Sequence, residues 1–329
     1  MTVLLLLLSF VLIVGGAILF TNAVEWAGRN LNLGEGPVGS LLAAVGTALP
    51  ESLIPIVAVL AGAEGEEVAI GAIIGAPFML GTVAMLLIAG AALIYSKSRE
   101  SGREINVERR AVRRDLGFFL PCFAGAIALG LVDSKPLHYA GAAVLLVLYG
   151  VYVWRTIKKG ADAEEEEPQP LYFDTSKDDP PNKLQLIGQL AVGLLMIIGG
   201  AELFVEELKA VAKSVGLAPL ALSLVLAPLA TELPEKLNSV IWIRRSKDSL
   251  AVGNVTGAMA FQSTVPVAFG LAVTEWSLEP AAVVAGVLGI LGGALALWRL
   301  SVGRMGPAAV VAWTVLFTTL VVFIAFDSS

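Results

Sequence analysis

Hydrophobic residues in this chain fall into long runs separated by short polar stretches. The first run, Val3 to Phe20, is apolar almost throughout, and comparable runs recur to the end of the chain. Runs near 20 residues suit a helix crossing a hydrocarbon core of about 30 Å. The pattern predicts ten spans: 2–21, 37–61, 67–95, 115–133, 137–155, 184–207, 217–243, 249–273, 279–298 and 307–326. Several exceed the minimum crossing length, which tilt or a break absorbs. The first run has no basic residues before it and no clear small-residue cleavage site, so it is read as a span and not a signal peptide. The expected fold class is an all-α integral membrane protein of ten transmembrane helices.

Composition agrees with the pattern. Of 329 residues, 57% are hydrophobic and 15% charged, against about 25% charged in a typical soluble domain. The net charge of −6 says less than where the charges lie. With ten spans the loops alternate sides, and 18 of the 22 Lys and Arg residues collect on one of them, including Arg99, Arg103, Arg109, Arg110, Arg113, Arg114, Lys247, Arg299 and Arg304. Basic loops stay in the cytoplasm, so both termini are expected outside, in a multi-pass cell (inner) membrane protein. The bilayer is the expected partner, with no nucleic acid. Cys122 is alone and reads as a small buried residue. His138 is placed in a short loop without a metal-ligand partner. Residues 160–183, with Glu164-Glu165-Glu166-Glu167 and Pro180-Pro181, form a cytoplasmic acidic linker. It reads as a solvated connector, or as a regulatory cation sensor.

Two polar segments interrupt the apolar runs in a matched way. Thr47-x-Leu49-Pro50-Glu51 is answered by Thr231-x-Leu233-Pro234-Glu235, and Gly71-x-x-x-Gly75-Ala76 by Gly253-x-x-x-Gly257-Ala258. Gly15-Gly16 is answered by Gly199-Gly200, and Gly34-x-x-Pro37 by Gly216-x-x-Pro219, all at an offset of 182 to 184. Five spans in the first copy force the second to enter the membrane from the opposite side, an inverted repeat of the kind many secondary transporters use. The expected organisation is a five-helix repeat over 1–159 (motif 46–81), the linker 160–183, and a second, inverted repeat over 184–329 (motif 230–263).

A carboxylate inside a span is costly and marks function by default. Pro50 and Pro234 each remove a helical hydrogen bond, so helices 2 and 7 are expected to be broken. That would free the carbonyls of Ala44 to Thr47 and of Ala227 to Thr231. Hard cations take oxygen ligands, and Ca2+ takes six to eight. Glu51 and Glu235, with these carbonyls, make a plausible Ca2+ site. The glycines Gly71, Gly75, Gly253 and Gly257 let the third and eighth spans approach the broken helices. Gln262 offers an uncharged amide oxygen to the site, or an interhelical hydrogen bond. Glu232 adds a third carboxylate on nearly the same face as Glu235. Three carboxylates in a low dielectric repel, so one is expected to hold a proton near neutrality. Lys236 could partner a carboxylate, although its position next to Glu235 points it elsewhere on the helix.

These motifs resemble the two alpha repeats of the cation/Ca2+ exchanger superfamily, which reads Gly-Thr-Ser-Leu-Pro-Glu in spans two and seven and Gly-Asn-x-x-Gly-Ser-Asn-x-x-Asn/Asp in spans three and eight. The resemblance covers nearly the whole chain. It implies Ca2+ between Glu51 and Glu235, lining by Thr47 and Thr231, alternating access by the first and sixth spans sliding across a fixed core, and a monomer. The chain departs from the pattern at several ligands: Ala48 and Glu232 stand at the motif serines, Ala76 and Ala258 at later serines, and Leu80 and Gln262 at the Asn/Asp position. The missing hydroxyls weaken the case for Na+ sites, and Glu232 offers a route to proton coupling. The expected function is exchange of Ca2+ for Na+. The alternatives are a Ca2+/H+ or other divalent-cation antiporter using Glu232, and a sensor or scaffold that binds cations without transport. No cofactor is expected beyond the transported Ca2+ and Na+ (or H+). No nucleophile, base and phosphate loop come together in the sequence, so an enzyme is not expected.

Overall fold

A computed structural model of the chain describes residues 1–30, 49–158, 169–174 and 181–327; within these, the side chains of 28–30, 49, 50, 63, 64, 157, 233–235 and 327 lie outside the described set. The described residues are helical, with no strand beyond one isolated bridge between Glu104 and Arg304. In chain order the helices are α1 (Thr2–Asn30), α2 (Leu49–Leu60), α3 (Ala63–Met79), α4 (Met85–Ile94), α5 (Arg109–Leu129), α6 (Lys135–Lys158), α7 (Lys183–Val215), α8 (Pro219–Arg244), α9 (Asp248–Gln262), α10 (Val265–Val273), α11 (Pro280–Val302) and α12 (Pro307–Asp327). A π-helical turn, Leu80–Ala84, joins α3 to α4 without interruption. Among the described residues, seven helical stretches are long and apolar enough to cross a membrane: Thr2–Ala27, Gly65–Ile94, Lys135–Thr156, Lys183–Val215, Asp248–Val273, Pro280–Val302 and Pro307–Phe326.

Helix ends follow local chemistry. Asn182 caps α7, its side chain accepting from the Leu184 N–H at 2.9 Å, which satisfies one of the donors a helix start leaves open. Gly216 ends α7 with φ 73°, a conformation that suits glycine, and Pro219 opens α8 three residues later, where its missing N–H costs nothing. His138 lies in the first turns of α6, not in a loop. It is buried, and its Nε2 sits 3.0 Å from the Leu129 carbonyl and 2.8 Å from that of Val132. It therefore serves the carbonyls that end α5. Cys122 is buried, as expected.

The continuous α3–α4 stretch is the centre of the bundle: 83% of its apolar window is buried, against 17% for α6. It packs on α8 and α11, and α5 packs on α9 and α11. Ile73, Ile74, Phe78, Phe119, Phe123, Met259 and Trp313 fill this core. Outside it, α1 and α7 pack chiefly on each other. Small residues set that seam: a Cβ on Gly16 would meet the Gly193 carbonyl at 2.8 Å, and one on Gly200 would meet the Ile13 backbone nitrogen at 3.0 Å. A second apolar cluster, with Ile13, Ile54, Ala69, Phe204 and Ala230, joins the pair to α2, α3 and α8.

The expected break in the seventh span is absent. The helix α8 runs unbroken from Pro219 to Arg244, through Pro228 and Pro234. A proline φ is compatible with helix, so the cost is one backbone hydrogen bond and a local clash. Pro228 leaves the Leu224 carbonyl without its helical donor, and that carbonyl lies against Gly75, where a Cβ would overlap it. For the second span, α2 is unbroken from Leu49 to Leu60, and residues 31–48 lie outside the described set. Among the described residues, irregularities fall one span later in each half: the π turn at Leu80–Ala84, and the interruption at Ser263 and Thr264 between α9 and α10. At the offset of 182, Thr82 corresponds to Thr264. Both hydroxyls donate four residues back, Thr82 to the Phe78 carbonyl at 2.6 Å and Thr264 to the Ala260 carbonyl at 2.9 Å. Such back-bonding bends helices.

Candidate functional site

Halfway along α8, Thr231 and Glu232 are buried. The Thr231 hydroxyl donates to the Ala227 carbonyl of its own helix at 3.3 Å. Glu232 faces two groups. Gln262, the last residue of α9, donates from Nε2 to Glu232 Oε1. Lys236, one turn further along α8, places Nζ 3.2 Å from Glu232 Oε2. All three residues are nearly sealed, with exposures of 3% for Glu232, 2% for Lys236 and 1% for Gln262. The facing wall is apolar and comes from the π turn and its flanks: Met79, Leu80, Val83, Ala84 and Leu87. Two acceptor atoms here, Gln262 Oε1 and Glu232 Oε2, receive no hydrogen bond from a described residue.

Glu232 is therefore ion-paired, which corrects the expectation that it stands as a third uncompensated carboxylate, and Lys236 does partner a carboxylate. The i, i+4 spacing explains both, since Glu232 and Lys236 project from one face of α8 one turn apart. Opposite unit charges 3.2 Å apart attract by about 5 kcal/mol at an effective dielectric near 20. Burying each ion costs several kcal/mol. The attraction does not by itself offset that cost for both ions, so the hydrogen bond from Gln262 matters to the balance.

Glu51 lies in the first turn of α2 and is half-buried. Through α2 it belongs to a helix that packs on α3 and α7 and touches α8. Glu235 lies on α8, one residue before Lys236, with its side chain outside the described set. Thr47 lies outside the described residues altogether. Among the described residues no group of three or more His, Cys, Asp or Glu side chains converges. The α3 glycines do what the spacing implies: a Cβ on Gly71 would stand 2.7 Å from the Leu220 carbonyl, and Gly75 abuts Leu224. No described atom beyond their own stretch of α9 lies within 4 Å of a Cβ built on Gly253 or Gly257, and the 37–48 segment they are expected to face is outside the described set.

Two buried carboxylates escaped sequence reasoning. Asp115 on α5 accepts from Arg114 Nε, the Tyr152 hydroxyl and the Thr256 hydroxyl, each at 2.8 Å, and so ties α5 to α6 and α9. Asp248, at the start of α9, accepts from Arg99 at 2.5 Å and from the Asn106 N–H at 2.8 Å. Both stand at the ends of apolar runs, where a carboxylate reads as solvated; only the fold shows what covers them. The linker is partly fastened: the Gln169 carbonyl accepts from Asn22 and Trp26 of α1, each at 2.8 Å, and Leu171 is buried. The rest of 160–183 that carries the acidic run lies outside the described residues.

These features define a multi-pass helical membrane protein with a charged cluster sealed at mid-bundle. The chain belongs to the sodium/calcium exchanger protein family, whose profile matches residues 1–158 and 185–326. Its relatives include CaxA of Alkalimonas amylolytica, 24% identical over 280 residues (84% of this chain, 82% of CaxA). Another is the uncharacterized membrane protein MJ0091 of Methanocaldococcus jannaschii, 28% identical over 252 residues (77% and 75%). The inner membrane protein YrbG of Escherichia coli is 22% identical over 280 residues (84% and 82%). Among solved structures, the H+/Ca2+ exchanger CAX superposes with a TM-score of 0.73 at 21% identity, covering 98% of this chain and 81% of CAX. The sodium-calcium exchanger NCX_Mj gives 0.60 at 21% identity, covering 98% and 99%. At such identity the likeness establishes the shared fold.

Proposed function

We propose that the chain is a secondary antiporter that exchanges Ca2+ for Na+ across the cell (inner) membrane by alternating access. The observation that carries this is the sealed cluster on α8, a buried carboxylate beside an amide oxygen that has no described partner, in a member of this family. Glu51 and Glu235 are the ligands for Ca2+, with Thr231, Thr47 and Gln262 in support. Ca2+ and the counter-ions compete for the same two carboxylates, which couples their movements. Ten crossings in two inverted halves, 1–159 and 184–329, fit this reading. The matched back-bonds of Thr82 and Thr264 support the repeat, as does the family match on either side of 159–184. The α1–α7 pair, held by its own small-residue seam, is the element we assign to sliding across the α3–α8 core. The protein acts as a monomer, with both termini outside, and moves ions without catalysing a chemical reaction.

Na+ is favoured over proton coupling through Glu232, because the Lys236 ammonium 3.2 Å from Glu232 Oε2 already balances the charge of that side chain. The test is uptake of radiolabelled Ca2+ into proteoliposomes under an outward Na+ gradient or an outward H+ gradient. Na+-driven uptake that falls to the level of empty liposomes in both Glu51→Gln and Glu235→Gln is expected. Uptake driven only by protons would replace the counter-ion, and no uptake under either gradient would overturn the antiporter reading.

A further inference from the structure

We propose that the Lys236 ammonium is a tethered cation: it occupies, against Glu232 and Gln262, a subsite that would otherwise take a monovalent metal ion such as Na+. The inference rests on the cation-exchange reading above and names a residue that sets the charge of its site. Three observations support it. The Nζ of Lys236 stands 3.2 Å from Glu232 Oε2 in a place almost closed to solvent. Gln262 Oε1 and Glu232 Oε2 are both buried and accept no hydrogen bond from a described residue, and the two side chains meet where Gln262 Nε2 donates to Glu232 Oε1. The opposite wall, Leu80, Val83, Ala84 and Leu87, offers no side-chain oxygen. Among the described residues, the polar side chains around this subsite come from α8 and α9.

Charge arithmetic says why a fixed cation belongs there. Counted as formal charges over the residues of the proposed site, Glu51, Glu232 and Glu235 bring three negatives and Lys236 returns one positive. The remainder is two, the charge of a single Ca2+. Without the ammonium, a buried site holding one Ca2+ would keep an uncompensated carboxylate, which the interior tolerates poorly. Because Lys236 is covalently part of α8, it neutralises Glu232 in every conformation and is never exchanged.

Removing the ammonium should therefore create a Na+ requirement. Purified protein is melted in Ca2+-free buffer while NaCl replaces choline chloride at constant ionic strength, for wild type, Lys236→Ala, Lys236→Gln and the double variant Glu232→Gln/Lys236→Met. We expect Lys236→Ala to melt below wild type in choline and to recover as Na+ rises, with the logarithmic dependence of a ligand that binds only the native state. The double variant, which loses both charges, should show no more Na+ response than wild type. If Lys236→Ala responds to Na+ and choline alike, Lys236 is a structural ion-pair partner and the proposal fails. Should Lys236→Ala not fold, Lys236→Gln keeps most of the volume, and binding of radiolabelled Na+ in excess of wild type carries the same decision. The Ca2+ uptake assay separates the two readings. Wild-type uptake with no Na+ recovery in the variants overturns the tethered cation alone. Na+ recovery without wild-type uptake upholds the subsite and overturns the antiporter.

Discussion

Asp115 shows how one side chain can hold three helices. Its two oxygens accept from Arg114, Tyr152 and Thr256, and the carboxylate itself is sealed. Arg114 reaches solvent with about a third of its side chain, so it can find water if the acid is removed. The Tyr152 and Thr256 hydroxyls are less free to do so. Asp115→Ala should therefore cost about 2–5 kcal/mol, the range for orphaning buried donors together with a cavity. Asp115→Asn keeps the shape and one acceptor oxygen, and should cost about 1–2 kcal/mol. Thermal melts of both variants check the order. Neither loss should be recovered by Na+, which separates this structural carboxylate from Glu232. At this scale the sequence located the intramembrane acids at 51, 232 and 235 because they stand out in apolar surroundings. It did not show that Glu232 is bound to Lys236, although the spacing of four was visible.

At the scale of elements, two kinds of glycine contact predict opposite responses to the same substitution. Gly75 lies against the Leu224 backbone of α8, inside the central core, and neither helix can withdraw. Gly75→Ala should lose about 1–3 kcal/mol from overpacking, which outweighs the gain of up to about 1 kcal/mol that alanine brings to a helix. Gly15 faces only the Met196 terminal methyl, at 3.1 Å. A methionine end can swing aside, so Gly15→Ala should be neutral or slightly stabilising. Melting the two variants side by side tests whether backbone contact, and not glycine as such, is what matters. Among the described residues, seven of the ten expected spans are helical stretches long and apolar enough to cross, and these were legible from their unbroken apolar runs. The Gly71 and Gly75 contacts were legible from their spacing. The site of helix irregularity was not: prolines signalled breaks at 50 and 234, yet α8 carries Pro228 and Pro234 without one. The π turn and the interruption after Gln262 sit where Thr82 and Thr264 draw on carbonyls of the preceding turn. In the second half Pro266, at the start of α10, was a usable signal. The first half has no proline between Gly81 and Ala84, and its helix loosens into a π turn instead of breaking.

At the scale of the whole molecule, contacts among loops sort the chain ends of the helices into two faces. On one face the α4–α5 connection meets both the start of α9 and the α11–α12 turn. Arg99 pairs with Asp248 out of water, and the Ile105 N–H donates to the Gly303 carbonyl at 3.0 Å. On the other face, the α10–α11 connection meets the α5–α6 turn and the start of α3. Lys135 pairs with Glu275 at 3.3 Å, the Leu278 N–H donates to the Gly130 carbonyl at 3.1 Å, and Glu66 accepts from the Glu275 N–H. The first face carries Arg103, Arg109, Arg110, Arg299 and Arg304, which the positive-inside rule assigns to the cytoplasm. Charge placement in the sequence already groups these basic residues together, whereas the contacts that lock each face needed the fold. The prediction is an accessibility experiment in intact cells. Cysteines are introduced singly at Glu104, Arg304, Lys135 and Glu275, all with exposed side chains, in a background where the buried Cys122 is changed to Ala. A membrane-impermeant thiol reagent should label Lys135→Cys and Glu275→Cys from outside. It should reach Glu104→Cys and Arg304→Cys only after the membrane is opened. The reverse pattern would invert the protein and put both termini in the cytoplasm. Labelling of Glu104→Cys and Glu275→Cys from the same side would mean that α5, which separates Glu104 from the Lys135–Glu275 pair, does not cross, and the ten-span reading would fall with it.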